Sequence, residues 1–184
     1  MLTTIKKSLC ILGLAASALA IIPVASAGNA NPNKNPELTA GYQVINRAAF
    51  ENYIAMFNDK NPLAFEAYYA DNMRMQNGKM VLNGIPEVKE HYRKIWSVMK
   101  EELTVVNFVM DGDSLAVELK AHFTAERDAK GSVFGDVIKG ENFDFHGVIM
   151  YKINHMGKFY DIKVAYLDFT NTRNGVTKSL GVAH

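Results

Sequence analysis

Cysteine is almost missing from this chain: Cys10 is the only one among 184 residues. An internal disulfide is therefore impossible, and stability must come from packing alone. A dominant charge sign is missing too, since 20 Lys and Arg face 19 Asp and Glu for a net charge of +1. Charges so balanced and scattered give no electrostatic footprint for nucleic acid or an anionic membrane surface. Nor does any apolar run reach the roughly 20 residues needed to cross a bilayer. The longest, residues 9–22, is stopped by Pro23.

That short run has a different meaning at its position. Lys6 and Lys7 precede it, and Ala25-Ser26-Ala27 places small residues where a signal peptidase cuts. Residues 1–27 are predicted to be a secretory signal peptide and the protein to be exported, periplasmic or extracellular, with no membrane attachment after cleavage. Cys10 lies at the start of the run instead of its end, which argues against a lipoprotein. Cleavage after Ala27 removes Cys10 and two lysines, so 18 basic residues face 19 acids and the net charge becomes −1. The remaining length suits one domain with one core. Residues 28–45, rich in Asn and Pro, read as a flexible leader.

Periodicity begins at Asn46, which can cap a helix carrying Phe50, Tyr53, Ile54 and Phe57 on one stripe. Asn61-Pro62 opens a second helix running to about Tyr69. A third opens after Gly84 and runs to about Lys100, with Val88, Tyr92, Ile95, Trp96 and Met99 on one side. After Glu102 the period falls to two. Val105, Asn107 and Val109 share a face, as do Val117, Leu119, Ala121 and Phe123. Phe143, Phe145, Gly147, Ile149 and Tyr151 mark a long strand, and Tyr160, Ile162, Val164 and Tyr166 mark the last one. Residues 127–140 read as a loop and residues 171–184 as a frayed tail. The fold class is α+β: three helices packed on one face of a curved antiparallel sheet, with the domain spanning residues 46–170.

The order helix, helix, Tyr69-Ala70-Asp71-Asn72, Met73 to Asn77, then Gly84-Ile85-Pro86 resembles the opening of SnoaL-like proteins, which include polyketide cyclases and ketosteroid isomerases. Gly140-Glu141, Gly147 to Tyr151 and Gly157-Lys158 resemble that family's last two strands. The resemblance implies an NTF2-like cone with a pocket open at one end. It places Tyr53 where the isomerase has its oxyanion-hole tyrosine, Tyr69 and Tyr92 where some members chain further phenols to it, and Tyr166 on the pocket wall. Phenols in an apolar cone can donate to a carbonyl oxygen and stabilise the charge it takes on. The isomerase's two carboxylates are not where the resemblance puts them. Asn77 and Ile149 occupy those positions, and neither can shuttle a proton.

The candidate ligand-binding set is accordingly Tyr53, Phe57, Tyr69, Asn77, Tyr92, Trp96, Asn107, Ile149 and Tyr166. Tyr53 is the candidate catalytic donor. Asp168, two residues past Tyr166 in the alternation, is the first candidate for a substitute base at the pocket mouth. His122 alternates with Glu118, Lys120 and Thr124 opposite an apolar face, and Asp144 with His146 likewise, so periodicity puts these outside the cone. No metal or cofactor is expected, because the His and Asp spacing lacks a third ligand. The outer sheet face is expected to pair two copies of the chain. The leading functional reading is a pocket for a small hydrophobic or aromatic molecule. One alternative is an isomerase, cyclase or lyase acting on a small carbonyl compound, and a second is a dimeric protein-interaction module.

Overall fold

The computed structural model describes residues 45–181. The signal peptide and all but the last residue of the leader lie outside the described residues. Ile45, assigned above to the leader, is buried at 2% exposure and belongs to the core.

Helix α1 (Arg47–Asn58) starts where Asn46 predicts, because the Asn46 Oδ1 accepts from the Ala49 N–H at 2.9 Å. A side-chain cap of this kind typically contributes about 1 kcal/mol. Phe50, Tyr53, Ile54 and Phe57 form its buried stripe. Helix α2 (Leu63–Tyr68) follows Asn61, whose Oδ1 accepts from the Leu63 N–H. The chain then runs through β1 (Tyr69–Asn77) and β2 (Met80–Asn83) into α3 (Gly84–Trp96). Helix α3 ends four residues before the predicted Lys100. Met99 and Lys100 already belong to β3 (Met99–Asp111), where the alternation is two and Met99 and Glu101 are buried.

β4 (Ser114–Ala125), β7 (Asn142–Ile153) and β8 (Phe159–Arg173) complete the large sheet, in the order β2-β1-β8-β7-β4-β3. The sheet is mixed, not purely antiparallel: β1 runs parallel to β8, with Met75 opposite Ile162 and Asn77 opposite Val164. Parallel pairing needs a crossover, and the long path from β1 through α3 and the meander supplies one. Between β4 and β7 lies a small hairpin of β5 (Ala129–Ser132) and β6 (Gly135–Val137), inside the segment that reads as a loop. The described part of the tail, residues 171–181, is also ordered, and residues 182–184 lie outside the described residues. β8 continues to Arg173, and β9 (Val176–Ser179) folds back on it. Asn174-Gly175, with φ of 51° and 75°, makes the turn. An Asn-Gly pair is a strong hairpin signal, and the sequence reading passed over it.

Register irregularities decide which side chains enter the cone. In β3 the pairing shifts between Val105 and Asn107, and in β8 between Tyr166 and Asp168. One extra residue reverses every side chain beyond it. Gly147 faces the inside of β7, where a Cβ would lie 2.3 Å from both the Ala165 carbonyl oxygen and the Phe145 ring. Glu141, 3% exposed, fastens the end of the sheet. It accepts from Arg173 Nη2 at 2.7 Å, Asn171 Nδ2 at 2.8 Å and the Ile138 N–H at 3.1 Å.

Candidate functional site

The helices close over the concave side of the sheet and leave a cavity of about 460 Å³. Aromatic and aliphatic side chains together form most of its wall, because the α1 stripe meets the inward residues of β7 and β8. Tyr53 rests edge-on against Phe57 at 5.8 Å, Phe57 meets Tyr92 at 4.7 Å, and Tyr166 meets Phe145 at 4.8 Å. At one end the β5–β6 hairpin inserts Phe134 between Phe123 and Phe143, at 4.9 and 4.7 Å. Leu180, just past β9, lines the cavity as well.

Tyr53 and Tyr69 share a hydrogen bond of 2.7 Å between their hydroxyls, deep in the wall. Burial pushes both phenols well above their usual range; Tyr69 raises Tyr53 further, while the hydrogen bond from Tyr53 offsets part of the rise at Tyr69. They are neutral donors at any physiological pH. Only one of the two protons can lie between the oxygens, which leaves the other free to point elsewhere. Tyr92 lines the same cavity and its hydroxyl is also raised by burial. Among the described residues no hydrogen bond joins Tyr92 to the pair, so the expected chain of three phenols is a chain of two. Phe57, Asn77, Ile149 and Tyr166 all line the cavity as well.

Three sequence candidates fall elsewhere. Asn107 lies beyond the β3 irregularity, exposed on the outer face, and its amide meets Glu118 Oε2. Asp168 lies beyond the β8 irregularity. It pairs with His146 on the outer face and accepts from its neighbour's Phe169 N–H at 2.8 Å, while Phe169 takes the inward place. Plain alternation cannot anticipate either reversal. Trp96 is behind the cavity wall, stacked on Phe65 with an interplanar angle of 13°.

What Trp96 holds is the residue the sequence reading missed. Its indole Nε1 donates to Glu101 Oε2 at 3.0 Å. Glu101 is 4% exposed and lies on the cavity wall. Burial pushes its carboxyl up to about 8, against the lowering effects of the Trp96 N–H and the Lys60 charge. Its other oxygen, Oε1, has no partner among the described residues. Every fully sealed side-chain oxygen or nitrogen among them has one, so Oε1 opens onto the cavity. The signal was present in the sequence: Glu101, Leu103 and Val105 share a face once β3 starts at Met99. His91 also reaches the wall, half-buried, and desolvation lowers its imidazole so that it is neutral near pH 7. None of the lining residues is Lys or Arg.

On the outer face, His122 Nδ1 lies 2.6 Å from Asp144 and His146 Nε2 lies 2.8 Å from Glu118. Among the described residues no group of three His, Cys, Asp or Glu side chains is placed to hold a metal ion, and no helix is long and apolar enough to cross a membrane.

A family model for the SnoaL-like domain matches residues 50–162, well over half of the chain. Solved structures share the fold at low identity. A protein from Pseudomonas putida assigned as a candidate polyketide cyclase is 21% identical, with a TM-score of 0.53 over 64% of this chain and 87% of that one. TsrD from Streptomyces laurentii is 17% identical, with a TM-score of 0.53 over 67% and 91%. An LEH-like epoxide hydrolase from M. tuberculosis is 12% identical, with a TM-score of 0.52 over 65% and 80%. No curated protein sequence gives a significant match.

Proposed function

The chain belongs to the SnoaL-like domain family, and from that premise we propose that it is an exported protein whose cavity binds one small hydrophobic or aromatic molecule. The observation that carries this reading is the cavity itself. Its volume of about 460 Å³ falls in the usual ligand range of about 300–1,000 Å³, with aliphatic and aromatic side chains forming the bulk and a few polar groups converging on the space. The Tyr53–Tyr69 hydroxyl pair and Glu101 Oε1 supply the groups that would orient a ligand.

Export rests on the order of Lys6, Lys7, the 9–22 apolar run and the Ala25-Ser26-Ala27 site. We place the contact between two copies of the chain on the outer sheet face. Support comes from its interspersed opposite charges and from Met150 and Leu167, each 54% exposed.

Native mass spectrometry on residues 28–184, purified from the exporting cell, tests the reading. It predicts a dimer carrying one extra mass of a few hundred daltons per chain. Released ligand should rebind wild type, and Tyr53→Phe should weaken that rebinding by about tenfold. An empty protein that also rejects a panel of neutral aromatic compounds would overturn the reading. Consumption of the released ligand by fresh protein, lost in Tyr53→Phe, would move the chain to the catalytic alternative with Tyr53 as donor.

A further inference from the structure

We propose that the cavity is selective for a hydrophobic amine, whose nitrogen is held as an ammonium by the open oxygen of Glu101 while its apolar body lies among the aromatic rings. This rests on the cavity being a ligand site and names the class of ligand it takes.

Among the described residues Glu101 is the one acidic side chain on the cavity wall, and no Lys or Arg lines that wall to balance it. Lys60, whose charge lowers the Glu101 carboxyl, is engaged elsewhere: its Nζ donates to Glu126 Oε2 at 2.8 Å and to the Trp96 carbonyl at 3.3 Å. The Trp96 N–H holds Oε2, which leaves Oε1 turned to the cavity, as the proton's site when Glu101 is neutral and as an acceptor when it is ionised. Tyr69 and Tyr92 are close enough for the Glu101 charge to oppose their ionisation, so both flank it as neutral rings. An apolar space with one uncompensated carboxyl and several ring faces is complementary to a cation. The carboxylate gives a charge-assisted hydrogen bond, roughly twice as strong as a neutral one. The rings add cation–π attraction, which grows when the site is desolvated. The cost of burying Glu101 is already carried by the fold, so the ligand need not supply it.

Protons balance in either order of arrival. A neutral amine takes the proton from Oε1 and becomes ammonium beside carboxylate. An ammonium that enters while Glu101 is protonated displaces that proton to solvent. A ligand carrying its own carboxylate has no cation to meet and faces Glu101.

The test uses three probes of matched shape on the mature protein: naphthylethylamine, naphthylethanol and naphthylacetic acid, with binding read by calorimetry. The amine should bind about tenfold more tightly than the alcohol, and the acid should not bind near pH 8. Amine affinity should rise with pH through about 8, where Glu101 is half deprotonated, and level off about a unit higher, before the ammonium itself begins to lose its proton. The alcohol should show no such rise. Glu101→Gln keeps the shape and an oxygen for the Trp96 N–H, and turns an uncharged amide NH2 to the cavity. It should abolish the amine's advantage over the alcohol. Equal binding of amine and alcohol to wild type, or an unchanged amine advantage in Glu101→Gln, would overturn the inference while leaving the cavity a ligand site. Failure of all three probes on a folded protein would overturn both.

Discussion

Glu101 and Glu141 are about equally hidden, at 4% and 3% exposure, yet they sit in opposite surroundings. Glu141 is fully subscribed: Arg173, Asn171 and the Ile138 N–H all donate to it. Burial pushes its carboxyl up, but those partners outweigh burial and hold it below the usual range. Glu101 has one neutral donor, Trp96, and burial wins, raising it to about 8. A buried carboxylate with its partners in place is a structural clamp. A buried carboxyl with one oxygen left open to a cavity is an instability the fold has kept, and such sites cluster where function is.

The largest expected effect comes from breaking the clamp. Glu141→Ala leaves Asn171 and the Ile138 N–H without their acceptor and frees the solvent-exposed Arg173, and should cost about 2–3 kcal/mol in urea unfolding. The two carboxyls should also respond to pH in opposite directions. Glu141, lowered in the fold, contributes stability that is present above its unfolded value and lost as pH falls. Glu101, raised in the fold, binds its proton more tightly than the unfolded chain does. The chain should therefore lose stability as pH climbs from the ordinary glutamate range to about 8. Glu101→Gln removes that loss, and thermal unfolding at about pH 9 should show the variant a few kcal/mol more stable than wild type. An equal Tm for the two proteins at that pH would erase the contrast.

Smaller effects sharpen the comparison within the cavity. Gly147→Ala pushes a methyl group into the Ala165 carbonyl and the Phe145 ring, and should cost about 1–3 kcal/mol by calorimetric unfolding. Tyr53→Phe removes one partner of the buried hydroxyl pair. It should cost about 1 kcal/mol and leave the Tyr69 hydroxyl to the cavity.

The helices and the four long strands are legible in the sequence because period and capping chemistry carry them, whereas the phenol pair is suggested only by the family resemblance. Asn46, Asn61, the α1 stripe and the Val117-to-Phe123 alternation each give a local signal that the fold honours. Asn107 and Asp168 are not legible in the same way. Each follows one extra residue in its strand, and a pairing shift is a property of two strands, not of one. The parallel pairing of β1 with β8 joins segments about 90 residues apart, which no local pattern reports. Glu101 was hidden by a boundary. Read as the end of α3 it looks solvated, and read as the third residue of β3 it points inward. The β9 hairpin was legible in Asn174-Gly175 and was obscured by the polar residues around it.

The most direct measurement is a pH titration of the Glu101 carboxyl carbon by NMR, on glutamate-labelled protein, with Glu101→Gln supplying the assignment. An open, uncompensated carboxyl on an aromatic cavity wall should titrate with a midpoint near 8. A midpoint in the ordinary glutamate range, near 4.5, would mean that water or a cation already satisfies Glu101, and the account of the cavity would be contradicted.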